Sequence, residues 1–581
     1  MKTWLHRRVP ITRWLPALRR EDIPADLIAG VTVAVMLVPQ AMAYALLAGL
    51  PPVVGLYAAL VPPALYAVFG TAPQLAVGPV AMDSLLVATA VGAVATQGTG
   101  DYLALATMLA AMVGLIQLGL GLARAGFLVN FLSKPVVSGF TSAAALIIGF
   151  SQLKHLLGYP LPSDHRVHLL VWAAIERSAA LHAPTLALGL GALVTLIALQ
   201  KLGRRLGRTL PGPLVVVAAG TLLVTLAGLD GPGGIKTVGA VPGGLPALAL
   251  PVFAADKALA LLPGAATIAF VAFMEAISVA RFVAARSGQK VDPNQELIAL
   301  GAANLGTSVT GGYPVAGGFS RTAVNVQAGA RTPLSSLVTA ALIGLTLIAL
   351  TPLFTHLPVA VLAAIIMLAV FGLIDLATAK RLWKTSKSDF AVLALTFLAT
   401  LQLGITPGIG VGVAVALLVF VIRSTRPHYA VLGRLPGSSI FRNVRHYPEA
   451  RTCPGVLILR FDAPFYYGNV SFLADRLADE EAKWGPLTHV VLDATGITAL
   501  DASGADALVE LAADYGKRGI DLRFSGVRGP VRDMMGKVRL VEQLGADHFF
   551  FTVADAVASL DGGDAPGRGC GDRSPLAFAG R

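Results

Sequence analysis

Charge and cysteine are both scarce in this chain of 581 residues. Charged side chains make up 13% of it, about half the share usual in soluble proteins, which excludes an ordinary water-soluble globular protein. Only Cys453 and Cys570 are present, neither in a metal-ligand spacing, so a disulfide scaffold and a zinc site are set aside. No nucleophile elbow, P-loop or metal-ligand motif occurs, and neither enzymatic activity nor a cofactor is expected. The basic start (Lys2, Arg7, Arg8, Arg13, Arg19, Arg20) has no small-residue cleavage site before the first apolar run, and no secretory signal peptide is expected.

What is present is apolar sequence: 55% hydrophobic residues, mean hydropathy +0.71. Apolar runs continue from about Leu27 to about Ile422, which makes this an integral membrane protein. Windows of roughly 20 apolar residues place spans near 27–48, 53–69, 79–97, 102–122, 127–153, 184–200, 211–228, 259–285, 296–311, 320–331, 334–351, 357–374, 387–403 and 407–423, the tenth short and half-unwound.

Charge tests the count. With the basic N-terminus inside, alternate loops carry Lys201, Arg204, Arg205 and Arg208, then Arg281, Arg286 and Lys290, then Lys380, Arg381, Lys384 and Lys387. The opposite loops, such as Gln97 to Tyr102 and Thr351 to Pro358, contain no Lys or Arg, as the positive-inside rule requires. Both termini are therefore expected in the cytoplasm. The same rule accounts for the net charge of +12 without a nucleic-acid partner.

Fourteen spans divide into seven and seven, and two halves of odd span number run in opposite senses, the inverted-repeat plan of many secondary transporters. Two stretches, Leu75 to Leu86 and Gly312 to Asn325, interrupt the third span of each half with glycine, proline and polar residues. Non-helical backbone survives at membrane depth only where protein or a water-filled cavity satisfies its amides. Each stretch reads as a short extended piece followed by a helix, starting at Val80 and at Ser320. Facing helix N-termini present unpaired N–H groups and partial positive charge, a site for an oxyanion. Ser320 adds a hydroxyl, and Arg321 adds a full charge at a depth where ionisable groups are costly and usually functional.

After Arg426 short apolar strands (Val456 to Phe461, His489 to Leu492, Ile520 to Phe524) alternate with amphipathic segments near 471–484, 503–517 and 529–541, which argues a small α/β domain. The expected organisation is an N-terminal cytoplasmic segment 1–26, a transmembrane domain 27–424, a linker 425–455, the α/β domain 456–560 and a disordered tail 561–581.

Pro51-Pro52-Val53-Val54-Gly55-Leu56-Tyr57, Phe69-Gly70-Thr71, Val77-Gly78-Pro79-Val80-Ala81, Gly311-Gly312-Tyr313-Pro314-Val315 and Gly318-Phe319-Ser320-Arg321-Thr322-Ala323-Val324-Asn325 resemble the signature of the sulfate permease family of anion transporters. Leu492-Asp493-Ala494 and Leu500-Asp501-Ala502-Ser503-Gly504 resemble a STAS domain. The resemblance implies a core domain carrying the anion site and a gate domain against which it moves. It also implies that Gln40, Tyr44, Val80 with the adjacent Ala81, Phe319, Ser320 and Arg321 line the anion pocket. Read from the residues alone, Gln40 and Tyr44 share a helix face beside Pro39 and equally fit interhelical packing through polar tips.

Glu275 is the one carboxylate deep in the eighth span; a carboxylate there suits proton binding and release, which makes it the candidate ion-coupling residue, with a fixed counter-ion to Arg321 as the bland alternative. In related bicarbonate carriers an aspartate at this position helps hold sodium, and Glu275 with Val279 one turn on is poorer in sodium ligands. Asp83 departs from the apolar residue usual in the family; it either faces away from the pocket or is protonated during the cycle. Ser503 matches a position phosphorylated in stand-alone STAS proteins, and its plainer reading is a helix N-cap.

These readings converge on a secondary active transporter, with sulfate taken up by proton symport as the first expectation. A bicarbonate or dicarboxylate carrier, coupled to protons or sodium or working by exchange, and an uncoupled anion channel are the alternatives. A multi-pass protein of the bacterial inner membrane, assembled as a homodimer, is the expected setting.

Overall fold

The computed structural model describes residues 8–127, 133–162, 166–206, 210–231, 233–287 and 290–560. The tail expected to be disordered, 561–581, and parts of the basic loops lie outside these. The chain divides into two units, Met1–Ala416 and Leu417–Arg581.

In the first unit every expected span coincides with a helix: α1 (Ile23–Leu47), α2 (Pro52–Phe69), α3 (Ala81–Gly92), α4 (Gly100–Leu122), α5 (Lys134–Ser151), α6 (Ala183–Leu206), α7 (Gly212–Ala227), α8 (Ala255–Ser287), α9 (Pro293–Val309), α10 (Phe319–Gln327), α11 (Leu334–Leu345), α12 (Val359–Phe371), α13 (Lys387–Leu403) and α14 (Ile405–Thr425), which crosses the unit boundary. Among the described residues nine helices are long and apolar enough to cross a membrane. The third span of each half breaks as expected: β1 (Val77–Gly78) precedes α3, and β2 (Ala316–Gly317) precedes α10. Val80 is the N-cap rather than the first residue of α3, and α10 begins one residue before Ser320.

The helices sort into two bundles. In one, α4 packs on α8 and α9, α2 on α9, and α11 on α1 and α2; in the other, α5 packs on α12 and α13, and α6 on α7 and α12. These match the core (first to fourth and eighth to eleventh spans) and the gate (fifth to seventh and twelfth to fourteenth). Helix approach in lipid relies on small residues, and the α4–α9 contact shows it. A Cβ on Gly301 would lie 2.7 Å from the Leu118 amide nitrogen and 2.9 Å from the Gly114 carbonyl. Two buried carboxylates fasten helix starts. Asp26 of α1 accepts hydrogen bonds from the Arg331 amide (2.7 Å) and the Thr332 amide (3.1 Å), and Glu296 of α9 accepts from Tyr66 Oη (2.7 Å) and the Thr71 amide (2.8 Å).

The second unit holds a sheet ordered β4-β3-β5-β6-β7-β8, with β3 (Tyr429–Arg434), β4 (Phe441–Asn443), β5 (Val456–Phe461), β6 (His489–Asp493), β7 (Asp521–Ser525) and β8 (Phe549–Phe550). β3 pairs antiparallel with β4 and β5, and the pairs from β5 to β8 are parallel. Alternation along β5 feeds two layers. Leu457, Leu459 and Phe461 pack with Leu473, Leu477, Leu508 and Val531 of the helices α15 (Val470–Trp484), α16 (Ala502–Lys517) and α17 (Gly529–Lys537), while Ile458 packs with Ala556 and Val557. Two strands, β3 and β4, fall inside 425–455, which the sequence reading leaves as linker. β4 was hidden because it has only three residues with Arg442 at its centre, and β3 because its four-residue apolar start, Tyr429 to Leu432, follows directly on the last span and gives way to Gly433 and Arg434.

Gly301→Leu is expected to force α4 and α9 apart and to destabilise the protein by about 1–3 kcal/mol, the usual range for overpacking. A thermal melt in detergent checks it; an unchanged midpoint would contradict backbone contact between these helices.

Candidate functional site

The two interruptions meet. β1 and β2 pair antiparallel, Val77 opposite Gly317 and Gly78 opposite Ala316, and the ribbon is extended by the Gly318 amide donating to the Ala76 carbonyl at 3.0 Å. Side chains complete it: the Ala76 amide donates to Thr322 Oγ1 (3.0 Å), and Asn325 Nδ2 donates to the Gln74 carbonyl (2.9 Å). Asn304 of α9 holds the second piece at both polar groups of Val315, accepting from its amide (2.8 Å) and donating to its carbonyl (3.1 Å). Asn304 is itself held by Gln117 of α4, which accepts from it at 3.0 Å and donates to the Ala269 carbonyl at 3.1 Å. Every peptide group fixed in this way is one that lipid could not satisfy.

Helices α3 and α10 therefore start from opposite ends of one ribbon, and neither start carries a side-chain cap. Their first-turn N–H groups have no acceptor within the helix. Both starts line a cavity of about 650 Å³, together with Gln40 and Tyr44 of α1 and Glu275 of α8. All eight residues expected at the anion and coupling sites, Gln40, Tyr44, Val80, Ala81, Glu275, Phe319, Ser320 and Arg321, lie on this one wall system.

Arg321 is 2% exposed. Its Nη1 donates to the Pro79 carbonyl at 2.6 Å, tying the second helix start to the backbone of the first. Its Nε and Nη2 have no hydrogen-bond partner among the described residues, and neither does Oε1 of Gln40. A buried guanidinium with free donors is costly unless something supplies acceptors. Glu275 lies within electrostatic reach of Arg321, but among the described residues no hydrogen bond joins them, so it does not fill the free donors. Gly318 leaves the room that the guanidinium occupies, since a Cβ there would lie 2.7 Å from Arg321 Cζ.

Ser503 lies apart from this site, in the second unit. It is exposed, and the N-cap of α16 is Asp501, whose side chain accepts from the Gly504 amide at 2.7 Å. The N-cap expectation for Ser503 is thus corrected: the longer, charged acceptor two residues earlier takes the first-turn donor.

Sequence reasoning missed Gln117, Asn304 and the positioning roles of Thr322 and Asn325. A lone amide side chain in an apolar helix is the available signal, but its partner cannot be read without the fold.

Comparison with known proteins settles the lineage. The profile of the sulfate permease family matches residues 23–396, well over half of the chain. The chain belongs to the sulfate permease family. Residues 447–556 match the STAS domain. The chain is 40% identical to sulfate transporter 4.1, chloroplastic, of Arabidopsis thaliana, across 95% of its own length and 82% of that protein. It is 35% identical to the probable sulfate transporter Rv1739c of Mycobacterium tuberculosis, across 94% of itself and 98% of the relative. Among solved structures it is similar to murine Slc26a9, an anion transporter in the inward-facing state, with TM-score 0.89, 26% identity and coverage of 96% of this chain and 95% of that one. This sulfate permease family member is accordingly a multi-pass membrane transporter of anions and not an enzyme.

Asn304→Ala is expected to leave both polar groups of Val315 unpaired, at about 1–3 kcal/mol of local stability. Hydrogen exchange at the Val315 amide checks this: faster exchange is expected, and unchanged protection would show that Asn304 does not hold the ribbon.

Proposed function

We propose that the protein takes up sulfate by proton symport, by movement of the core bundle against the gate. The observation that carries this reading is the buried Arg321 with two unpartnered donor groups, set beside two uncapped helix starts on one cavity. Each of these groups favours negative charge, and Nε and Nη2 of Arg321 have no partner among the described residues, so a tetrahedral oxyanion with several acceptor oxygens fits the need. Sulfate is the choice that the names of both relatives support.

The cavity has two unlike walls. Helix starts, Gln40, Tyr44, Glu275 and Arg321 belong to the core, whereas the gate contributes Leu196, Leu199, Pro213, Ile365 and Leu368, with Gln200 its one amide. An apolar wall makes few directional bonds, so the core carries its anion past the gate with the site intact. The cavity reaches Gly203, Gly212, Gln327 and Gly372 at helix ends that the charge rule puts on the cytoplasmic side, so the conformation is inward-open. Both termini then face the cytoplasm of a bacterial inner membrane, and the STAS domain supports a homodimer.

Glu275 supplies the coupling. Ionised, it opposes an anion beside Arg321; two like charges roughly 6 Å apart at an effective dielectric near 20 repel by about 3 kcal/mol. Protonated, it lifts that repulsion, so proton and anion load together, and loading weakens as pH rises.

Uptake of labelled sulfate into proteoliposomes, with bicarbonate and fumarate as competitors, tests this. Sulfate uptake is expected to rise with an inward proton gradient, and uptake indifferent to that gradient, or a macroscopic anion current, would contradict it. Arg321→Ala is expected to weaken sulfate binding by about 10–100-fold, the loss of charge-assisted hydrogen bonds, and unchanged affinity would remove Arg321 from the site. Glu275→Gln is expected to keep binding while its pH dependence becomes shallower, and an unchanged pH dependence would remove Glu275 from the coupling.

A further inference from the structure

Asp83 is a carboxylate that the site as described does not use. It is the third residue of α3, fully buried at 0% exposure, and both of its oxygens lack a hydrogen-bond partner among the described residues. The contrast with Asp26 and Glu296 is sharp: they are equally buried, and backbone amides and hydroxyls saturate them. Asp83 has the burial without the bonds. An ionised carboxylate out of water and without donors is strongly disfavoured, and the partial positive charge at a helix start offsets only part of that.

Among the described residues its surroundings supply no cation. α3 packs on α8, α1 and α4, and more lightly on α5 and α12. α8 brings Glu275, which interacts electrostatically with Asp83. α1 brings Tyr44, and α4 brings Tyr102, whose hydroxyl donates to the Ala48 carbonyl at 2.7 Å. Lys257 near the start of α8 and Asp101 near the start of α4 pair with each other at 3.5 Å on the exposed end of the bundle. α5 carries Lys134 at its first residue, and α12 carries no titratable side chain. Tyr313 also interacts with Asp83, and its hydroxyl is shared with Ser84 Oγ at 3.2 Å. Arg321 interacts with Glu275, Tyr44 and Tyr313. Arg321 and Glu275 both line the cavity, whereas Asp83, which interacts electrostatically with Glu275, does not line it although its neighbour Met82 does.

We propose that Asp83 is a second proton-binding residue of the transport cycle, acting with Glu275, so that the core takes up a proton at each carboxylate as it loads its anion. The inference rests on the proton-coupled reading above and deepens it. Each step adds a proton to one carboxylate oxygen and releases it on the opposite side, with no other bond changed. Two neighbouring carboxylates that interact lose and gain protons as a pair. An ionised carboxylate on either residue favours a proton on the other, so the two protons bind in separate steps, and the negative charge of the loaded anion favours the second. A divalent anion loaded with both protons then crosses with no net added charge.

The test is the proton-to-sulfate ratio in proteoliposomes, read from the pH gradient that just balances an opposing sulfate gradient. About two protons per sulfate are expected for the unaltered protein and about one for Asp83→Asn, with sulfate affinity in Asp83→Asn kept within a few-fold. An unchanged ratio in Asp83→Asn with coupling intact would overturn this inference alone. A ratio of zero in the unaltered protein would overturn it together with the proton-coupled reading. A sodium requirement lost in Asp83→Asn would assign the place to a metal cation and overturn the proton assignment. Should Asp83→Asn fail to fold, sulfate-induced infrared difference spectra of Glu275→Gln serve in its place. A protonated-carboxyl band is expected there that shifts in Glu275→Gln with Asp83→Glu, and absence of any such band overturns the proposal.

Discussion

The antiparallel pairing of Val77 and Gly78 with Gly317 and Ala316 is the contact on which the rest of the transmembrane unit depends. A helix cannot begin halfway through a bilayer unless the backbone before it is satisfied, and here each broken segment satisfies the other. The ribbon fixes where α3 and α10 start and turns their uncapped ends onto one cavity. Arg321 adds a side-chain tie across the same junction, through its bond to the Pro79 carbonyl. The residue best suited to meet an anion therefore also links the two half-helices, so its position is set by the fold rather than by a flexible stem.

From this constraint comes a division of labour between the bundles. Polar and ionisable groups cluster on the core side of the cavity, and the gate presents leucine, isoleucine and proline. On the proposed reading, that asymmetry is what lets a loaded site travel: the bonds to the anion move with it, and the contacts that slide are non-directional. The network from Ala269 through Gln117 and Asn304 to Val315 braces the ribbon against α4, α8 and α9, which on the proposed reading lets the core move as one body.

Much of this was legible in the sequence because membranes punish exceptions. Glycine and proline inside apolar runs marked both breaks, and Arg321 and Glu275 stood out as charges where charges are expensive. The spans emerged from length and the loop charges alone. What stayed hidden were pairings across long separations. Asn325 with Gln74 and Thr322 with Ala76 join residues about 250 positions apart, and nothing local distinguishes an amide that braces a ribbon from one that merely packs. The strands β3 and β4 escaped for a different reason: β4 is a three-residue edge strand centred on Arg442, and the apolar residues of β3, Tyr429 to Leu432, run on almost directly from the last span. Ser503 shows the limit of motif transfer: the position matches, yet Asp501 does the capping.

The central claim is that the paired helix starts and Arg321 together form the anion cradle. Selenate, a heavier tetrahedral oxyanion of the same charge as sulfate, makes this directly visible by anomalous diffraction from crystals of the protein. A single anomalous peak between the starts of α3 and α10, within hydrogen-bonding distance of Arg321, is the result the account predicts. A peak elsewhere in the transmembrane unit, with that space occupied by water alone, would contradict it.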